Sequence, residues 1–188
     1  MGKLIFVLGG ARSGKSDYSQ TLAEKMAREC VYVATAQAGD EEMAARIKAH
    51  QASRGGQWHT IEAPLQTAQA VRRAEQDGEV YLLDCLTLLA SNVLFEHEGK
   101  SADSVEEALQ SELDELLELV RRQEKTWIVV SNEVGLGIVP AYESARLYRD
   151  LLGRANQFMA AAADVVVFLA AGLPIFLKGS LDQESGAI

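Results

Sequence analysis

Gly9-Gly10-Ala11-Arg12-Ser13-Gly14-Lys15-Ser16 lies directly after the apolar run Leu-Ile-Phe-Val-Leu at positions 4–8 and directly before a helical pattern. A buried strand, a G-x-x-x-x-G-K-[ST] turn and a helix in that order form a phosphate-binding loop in its proper context. Gly9 and Gly14 allow a tight turn whose successive N–H groups converge on phosphate oxygens. The positive end of the following helix adds to the attraction. Lys15 is expected to reach the β- and γ-phosphates, and the Ser16 hydroxyl to ligate Mg2+.

Working outward, residues 18–28 have a helical apolar face through Leu22 and Met26, and residues 30–35 (Cys-Val-Tyr-Val-Ala-Thr) read as a strand. Strand, helix and strand within about thirty-five residues predict a βαβ unit with parallel strands. Asp40 is placed to cap a helix that runs to about Ser53 and closes at Gly55-Gly56. Residues 58–62 read as a short strand, and Pro64 as the start of a helix to about Glu75. Residues 79–85 form a buried strand, 86–95 a helix, and Ser104 with Glu107 a capping box that opens a long amphipathic helix. Residues 126–130 give another strand, 142–163 a helix, and 165–170 and 175–178 two closing strands around Gly172-Leu173-Pro174; the residues from Ser180 on read as a loose tail. The expected fold is α/β: a P-loop-like, mostly parallel sheet with helices on both faces, in a single domain spanning 1–188. Ligands of such sheets bind beyond the carboxyl ends of the strands. There Gly9, Thr35, Asp84 and Asn132 share one cleft.

The 188-residue chain carries a net charge of −9, which argues against a general nucleic-acid binder. Anionic ligands must be met by local basic groups and backbone dipoles. Cys30 and Cys85 have no metal-ligand spacing and read as buried free thiols of a reducing compartment. No run is long enough to span a membrane and no signal peptide precedes the first strand, so a cytoplasmic protein is expected.

Two constellations carry candidate chemistry. In the helix at 40–53, Met43, Ile47 and His50 share a stripe flanked by Arg46, with Arg54 one turn further. Arginines on either side suit an anionic ligand, and a neutral imidazole can attack phosphorus. Spacing alone favours a structural hydrogen bond for His50 over such a role. His59 and His97 lack such company. Asp84 ends an apolar strand, as a Mg2+-holding carboxylate would; Glu62, ending another strand, is a second candidate. No Asn-Lys-x-Asp guanine-reading loop is present, so a switch-type GTPase is not expected.

Four segments occur together: Gly9–Ser16, Tyr32-Val-Ala-Thr-Ala36, Asp40-Glu-Glu-Met-Ala-Ala-Arg-Ile47 with His50, and Ser131-Asn-Glu-Val-Gly-Leu-Gly-Ile-Val-Pro140. In this order they resemble the bifunctional adenosylcobinamide kinase/adenosylcobinamide-phosphate guanylyltransferases of cobalamin biosynthesis, from Leu4 to about Lys178. The resemblance implies phosphorylation of adenosylcobinamide by ATP or GTP, followed by GMP transfer from GTP through a guanylyl-histidine. By motif position that histidine is His50, with Lys15 as the other catalytic residue. The implied nucleotide contacts are Gly9, Gly10, Ala11, Arg12, Ser13, Gly14, Lys15 and Ser16; Ala34, Thr35 and Ala36; Gln51, Ala52, Ser53 and Arg54; and Glu62 and Asp84. It further implies Mg2+ at Ser16 and Asp84, a RecA-like core, a small-molecule corrinoid substrate and a homotrimer. The alternatives are a monofunctional P-loop small-molecule kinase with a structural His50, and a nucleotide-binding regulatory module that uses the helix at 142–163 as a partner surface.

Overall fold

The computed structural model describes residues 2–37, 55–75 and 77–181. Among them are strands β1 (Lys3–Gly9), β2 (Cys30–Ala34), β3 (Trp58–Glu62), β4 (Val80–Asp84), β5 (Thr126–Asn132), β6 (Val165–Ala170) and β7 (Leu173–Lys178). The helices are α1 (Lys15–Met26), α2 (Thr67–Arg73), α3 (Leu86–Glu96), α4 (Ala102–Arg122) and α5 (Glu143–Ala162). The strands form one sheet in the order β3-β2-β4-β5-β1-β6-β7, with every pair parallel except β6–β7. The expected α/β architecture with a mostly parallel sheet is therefore present.

Side chains alternate between the two faces of each strand, and that alternation divides the core in two. Ile5 and Val7 of β1 join Tyr32, Leu82, Ile128 and Val130 beneath Tyr18, Leu22 and Ala23 of α1. Leu4, Phe6 and Leu8 point the other way, with Val33, Leu83 and Trp127, against α2, α3, α4 and α5. Trp127 is fully buried and stacks on Tyr81 at 4.8 Å between ring centroids.

Local details correct several sequence expectations. The first helix starts at Lys15 rather than Tyr18, because the phosphate loop runs straight into it, and it ends at Met26. The long amphipathic helix is capped by Ser101, whose Oγ accepts from Ser104 N–H, so Ser104 lies inside the first turn and is not the cap. The helix expected from Pro64 begins at Thr67, after Gln66 in a left-handed conformation. There the Glu112 carboxylate of α4 accepts the N–H groups of Gln66 and Thr67 and supplies the cap in place of a local residue. The fifth strand continues through Asn132. The last turn is Ala171-Gly172, and Pro174 belongs to β7; an edge strand tolerates a residue with no N–H to donate. The proposed helix at 40–53 and the tail from 182 lie outside the described residues, and no helix among those described is long and apolar enough to cross a membrane.

Buried Thr35 joins two strand ends just below the cleft. Its hydroxyl donates to Cys85 O and accepts from Cys85 N–H, each at 2.8 Å, while Asn92 Nδ2 donates to Thr35 O and Pro64 O. Thr35→Val keeps the shape but leaves the Cys85 N–H unpaired. It should lower the unfolding free energy by about 1–3 kcal/mol, read as a lower denaturant midpoint at unchanged slope. A wild-type midpoint would show that this crosslink contributes nothing.

Candidate active site

The phosphate loop occupies the point where the sheet changes direction. Helix α1 leaves β1 on one face and α5 leaves β5 on the other, so a crevice opens between the carboxyl ends of these two neighbouring strands. Gly9 closes β1 in close contact with Ser13 and β6: a Cβ there would also lie 2.8 Å from Leu169 O. Gly14 has φ +89°, and its Cβ would come within 3.3 Å of Gly172 Cα. Inside the loop, Ser13 N–H and Lys15 Nζ both donate to Gly10 O, at 3.3 and 3.1 Å. From outside, Glu133 N–H donates to Gly9 O at 3.1 Å and Gly172 N–H to Ser13 O at 2.9 Å.

The N-cap of α1 is Gly14, and among the described residues no side chain caps the helix, so its first N–H groups are available to an anion. Residues Arg12 to Asp17 line a hollow of about 150 Å³ over this helix end. Ala11 and Arg12 are exposed, and Gly10, Lys15 and Ser16 half-buried. A larger hollow of about 710 Å³ lies on the outer side of α4, lined by Glu106, Glu107, Asp114, Glu115 and Glu118 among others. Its carboxylates would repel a triphosphate, so the smaller hollow is the better anion site.

The strand order ranks the candidate carboxylates. Adjacent strands lie about 4.8 Å apart. Asp84 ends β4, two strands from β1, or about 10 Å laterally. Glu62 ends β3, four strands away, or about 19 Å. Of these two carboxylates, Asp84 is the nearer to the phosphate loop and Glu62 the more distant. Ala34, Thr35 and Ala36 sit at the end of β2, between these two strands. The hydroxyl and carboxylate of Ser16 and Asp84 are hard oxygen donors, and among the described residues no group of three His, Cys, Asp or Glu gathers to hold a metal. Such a sparse donor set fits Mg2+, which keeps its waters and takes phosphate oxygens.

Burial pushes the Cys85 thiol up to about 11, and the adjacent Asp84 charge adds to the shift. A thiol raised in this way is a poor nucleophile at pH 7. His59 pairs with Glu29 at 3.2 Å near the amino end of the sheet, and His97 Nδ1 lies 3.0 Å from Val93 O. Neither belongs to the cleft. His50, Arg46 and Gln51–Arg54 fall outside the described residues.

The strand end at Asn132, expected in the cleft without a role, is held by a network of its own. Asn132 lies opposite Gly9 in register, its N–H donates to Thr87 Oγ1 at 2.8 Å, and its O accepts from Asn156 Nδ2 at 3.0 Å. Asn156 Oδ1 accepts from Ser131 Oγ. Asn132 Oδ1 itself is buried with no partner among the described residues. The Ser131-Asn132-Glu133 motif was the available signal; the parallel register with β1 gives it a place.

The family model described as cobinamide kinase / cobinamide phosphate guanyltransferase matches residues 5–177. The chain is similar to the bifunctional adenosylcobalamin biosynthesis protein CobP of Pseudomonas aeruginosa, at 43% identity over 92% of this chain and 96% of the relative. It is 38% identical to the bifunctional adenosylcobalamin biosynthesis protein CobU of Escherichia coli and 37% to that of Salmonella typhimurium, each over 93% of this chain and 99% of the relative.

Because a Cβ on Gly9 would press on backbone as well as on Ser13, Gly9→Ala cannot be relieved by a side-chain rotation. Nucleotide affinity should fall at least tenfold, measured by titration calorimetry, with unfolding cooperativity retained. Wild-type affinity would mean that the loop can shift without cost.

Proposed function

The chain belongs to the cobinamide kinase / cobinamide phosphate guanyltransferase family, and we propose that it carries out both reactions from one nucleotide cradle at the crevice of β1 and β5. The observation that supports this most directly is the complete phosphate loop, with Gly14 in a left-handed turn at the start of α1, two strands from the strand that ends in Asp84. In the first reaction the γ-phosphoryl group of ATP or GTP passes to the hydroxyl of the aminopropanol arm of adenosylcobinamide. In the second, His50 attacks the α-phosphorus of GTP, a P–N bond forms, and the bond to the bridging oxygen breaks as pyrophosphate leaves. An oxygen of adenosylcobinamide phosphate then displaces the histidine, giving adenosylcobinamide-GDP.

The chain's residues take distinct parts. The N–H groups of Gly9–Ser16 hold the phosphates, and Lys15 leaves Gly10 O to follow the charge that develops on the departing group. Ser16 and Asp84 would hold Mg2+, which when bound neutralises phosphate charge. Ala34, Thr35, Ala36 and Glu62 extend the cradle toward the ribose and base, and Gln51, Ala52, Ser53 and Arg54 follow the nucleophile. His50 must be neutral to attack, and an ordinary imidazole with a pKa of about 6.5 is mostly so at pH 7. A covalent intermediate gives the transfer step ping-pong behaviour. The reading includes one catalytic domain over 1–188, a homotrimer and a cytoplasmic location.

Labelling with GTP carrying ³²P at the α-phosphate tests the two-step reading, because a guanylyl-histidine is acid-labile and alkali-stable. His50→Ala should abolish the label and guanylyl transfer while measurable kinase activity remains. Labelling that persists would reassign the nucleophile, and a wild-type protein that never labels but phosphorylates cobinamide would be a monofunctional kinase.

Asp84→Asn should raise the Mg2+ concentration needed for half-maximal rate and lower turnover more than it lowers metal-free nucleotide affinity. An unchanged Mg2+ titration would remove Asp84 from the metal site.

A further inference from the structure

Transfer of a phosphoryl group to a hydroxyl releases a proton, and among the described residues none of those assigned above has that role. We infer that the Glu133 carboxylate is the proton acceptor of the kinase step, an inference that rests on the kinase half of the proposed function. Glu133 directly follows β5, the strand beside β1, and its N–H donates to Gly9 O at 3.1 Å. Lys15 Nζ is bonded to the next carbonyl of the same loop, Gly10 O. The backbone of Glu133 and the ammonium that follows the γ-phosphate are thus tied to consecutive residues of one turn. Of the strand-end carboxylates, Glu133 is one strand from the loop, Asp84 two and Glu62 four. Asp84 is committed to the metal and Glu62 is about 19 Å away. Asp17 stands exposed in the first turn of α1, where its charge serves the helix dipole.

The local structure holds this carboxylate in one orientation. Glu133 Oε1 accepts the N–H of Gly135, and a Cβ on Gly135 would lie 2.9 Å from that same oxygen. Glycine at 135 is what lets the carboxylate fold back over its own turn. The side chain is half-buried, and among the described residues its second oxygen accepts no hydrogen bond. Beneath it, Asn132 is fixed by Thr87 and Asn156, so the base stands on a rigid strand end.

In the step itself, the acceptor hydroxyl oxygen bonds to the γ-phosphorus as the bond from that phosphorus to the bridging oxygen breaks. The electron pair leaves on the nucleoside diphosphate. The hydroxyl proton passes to Glu133 and from there to water. Attack by a neutral imidazole on the α-phosphorus releases no such proton, so the two reactions should differ in their need for this residue.

The test uses the full-length protein with Mg2+, adenosylcobinamide and GTP. Glu133→Gln should lower kcat of cobinamide phosphorylation by about 100-fold or more, with KM for GTP changed by less than about threefold. Protein labelling from α-labelled GTP should fall far less than the kinase rate. Glu133→Asp should recover part of the loss, and Gly135→Ala, which displaces the carboxylate without removing it, should lower kcat by about tenfold. Kinase kcat of Glu133→Gln within threefold of wild type would overturn the inference. So would an equal loss of phosphorylation and labelling, which would mark Glu133 as a support of the shared loop. Failure of wild type to phosphorylate cobinamide would overturn the proposed kinase function instead, so the two failures are separable.

Discussion

Two backbone hydrogen bonds seat the phosphate loop, one at Gly9 from the residue after β5 and one at Ser13 from the turn after β6. The rest of the site depends on them. A glycine-rich turn loses much conformational freedom on ordering, and a cradle that ordered only around its ligand would surrender that free energy from binding. Here the cost is met during folding, because β5 and β6 flank β1 on both sides and their extensions reach the loop. The inserted position of β5, between β1 and the strand of Asp84, does more than widen the sheet. It supplies the donor that fixes Gly9 and brings Asn132 and Glu133 beside the phosphate loop.

The same arrangement explains how a chain with net charge −9 can hold a polyanion. At physiological ionic strength the screening length is about 8 Å. The acidic outer side of α4 is therefore weakly felt at the loop, where converging N–H groups and Lys15 act at contact range. Local dipoles decide binding, and the global charge serves solubility.

Much of this was legible in the sequence because the signals are local. The loop's own residues specify its turn, apolar runs specify buried strands, and Asp84 ends its strand where the run of apolar residues stops. What was not legible depends on contacts between distant residues. The start of α2 is set by Glu112, forty-five residues from Thr67, and no local template could find that cap. Ser104 and Glu107 matched a capping box, yet Ser101 won because the helix starts at Ala102. The separation of Asp84 from Glu62 follows from strand order, which periodicity does not encode; both end short strands and look equivalent until β2 is found between them. Glu133 was visible within a motif, but its nearness to Gly9 is a matter of register.

Cys85 has a consequence of a different kind. It directly follows Asp84, at the edge of the cleft, where a reactive thiol would make the enzyme sensitive to oxidants. Desolvation and the neighbouring carboxylate push its thiol up to about 11, so the neutral form is favoured at pH 7. Peroxides and alkylating reagents act on the thiolate, so a raised pKa protects this thiol without a change of residue.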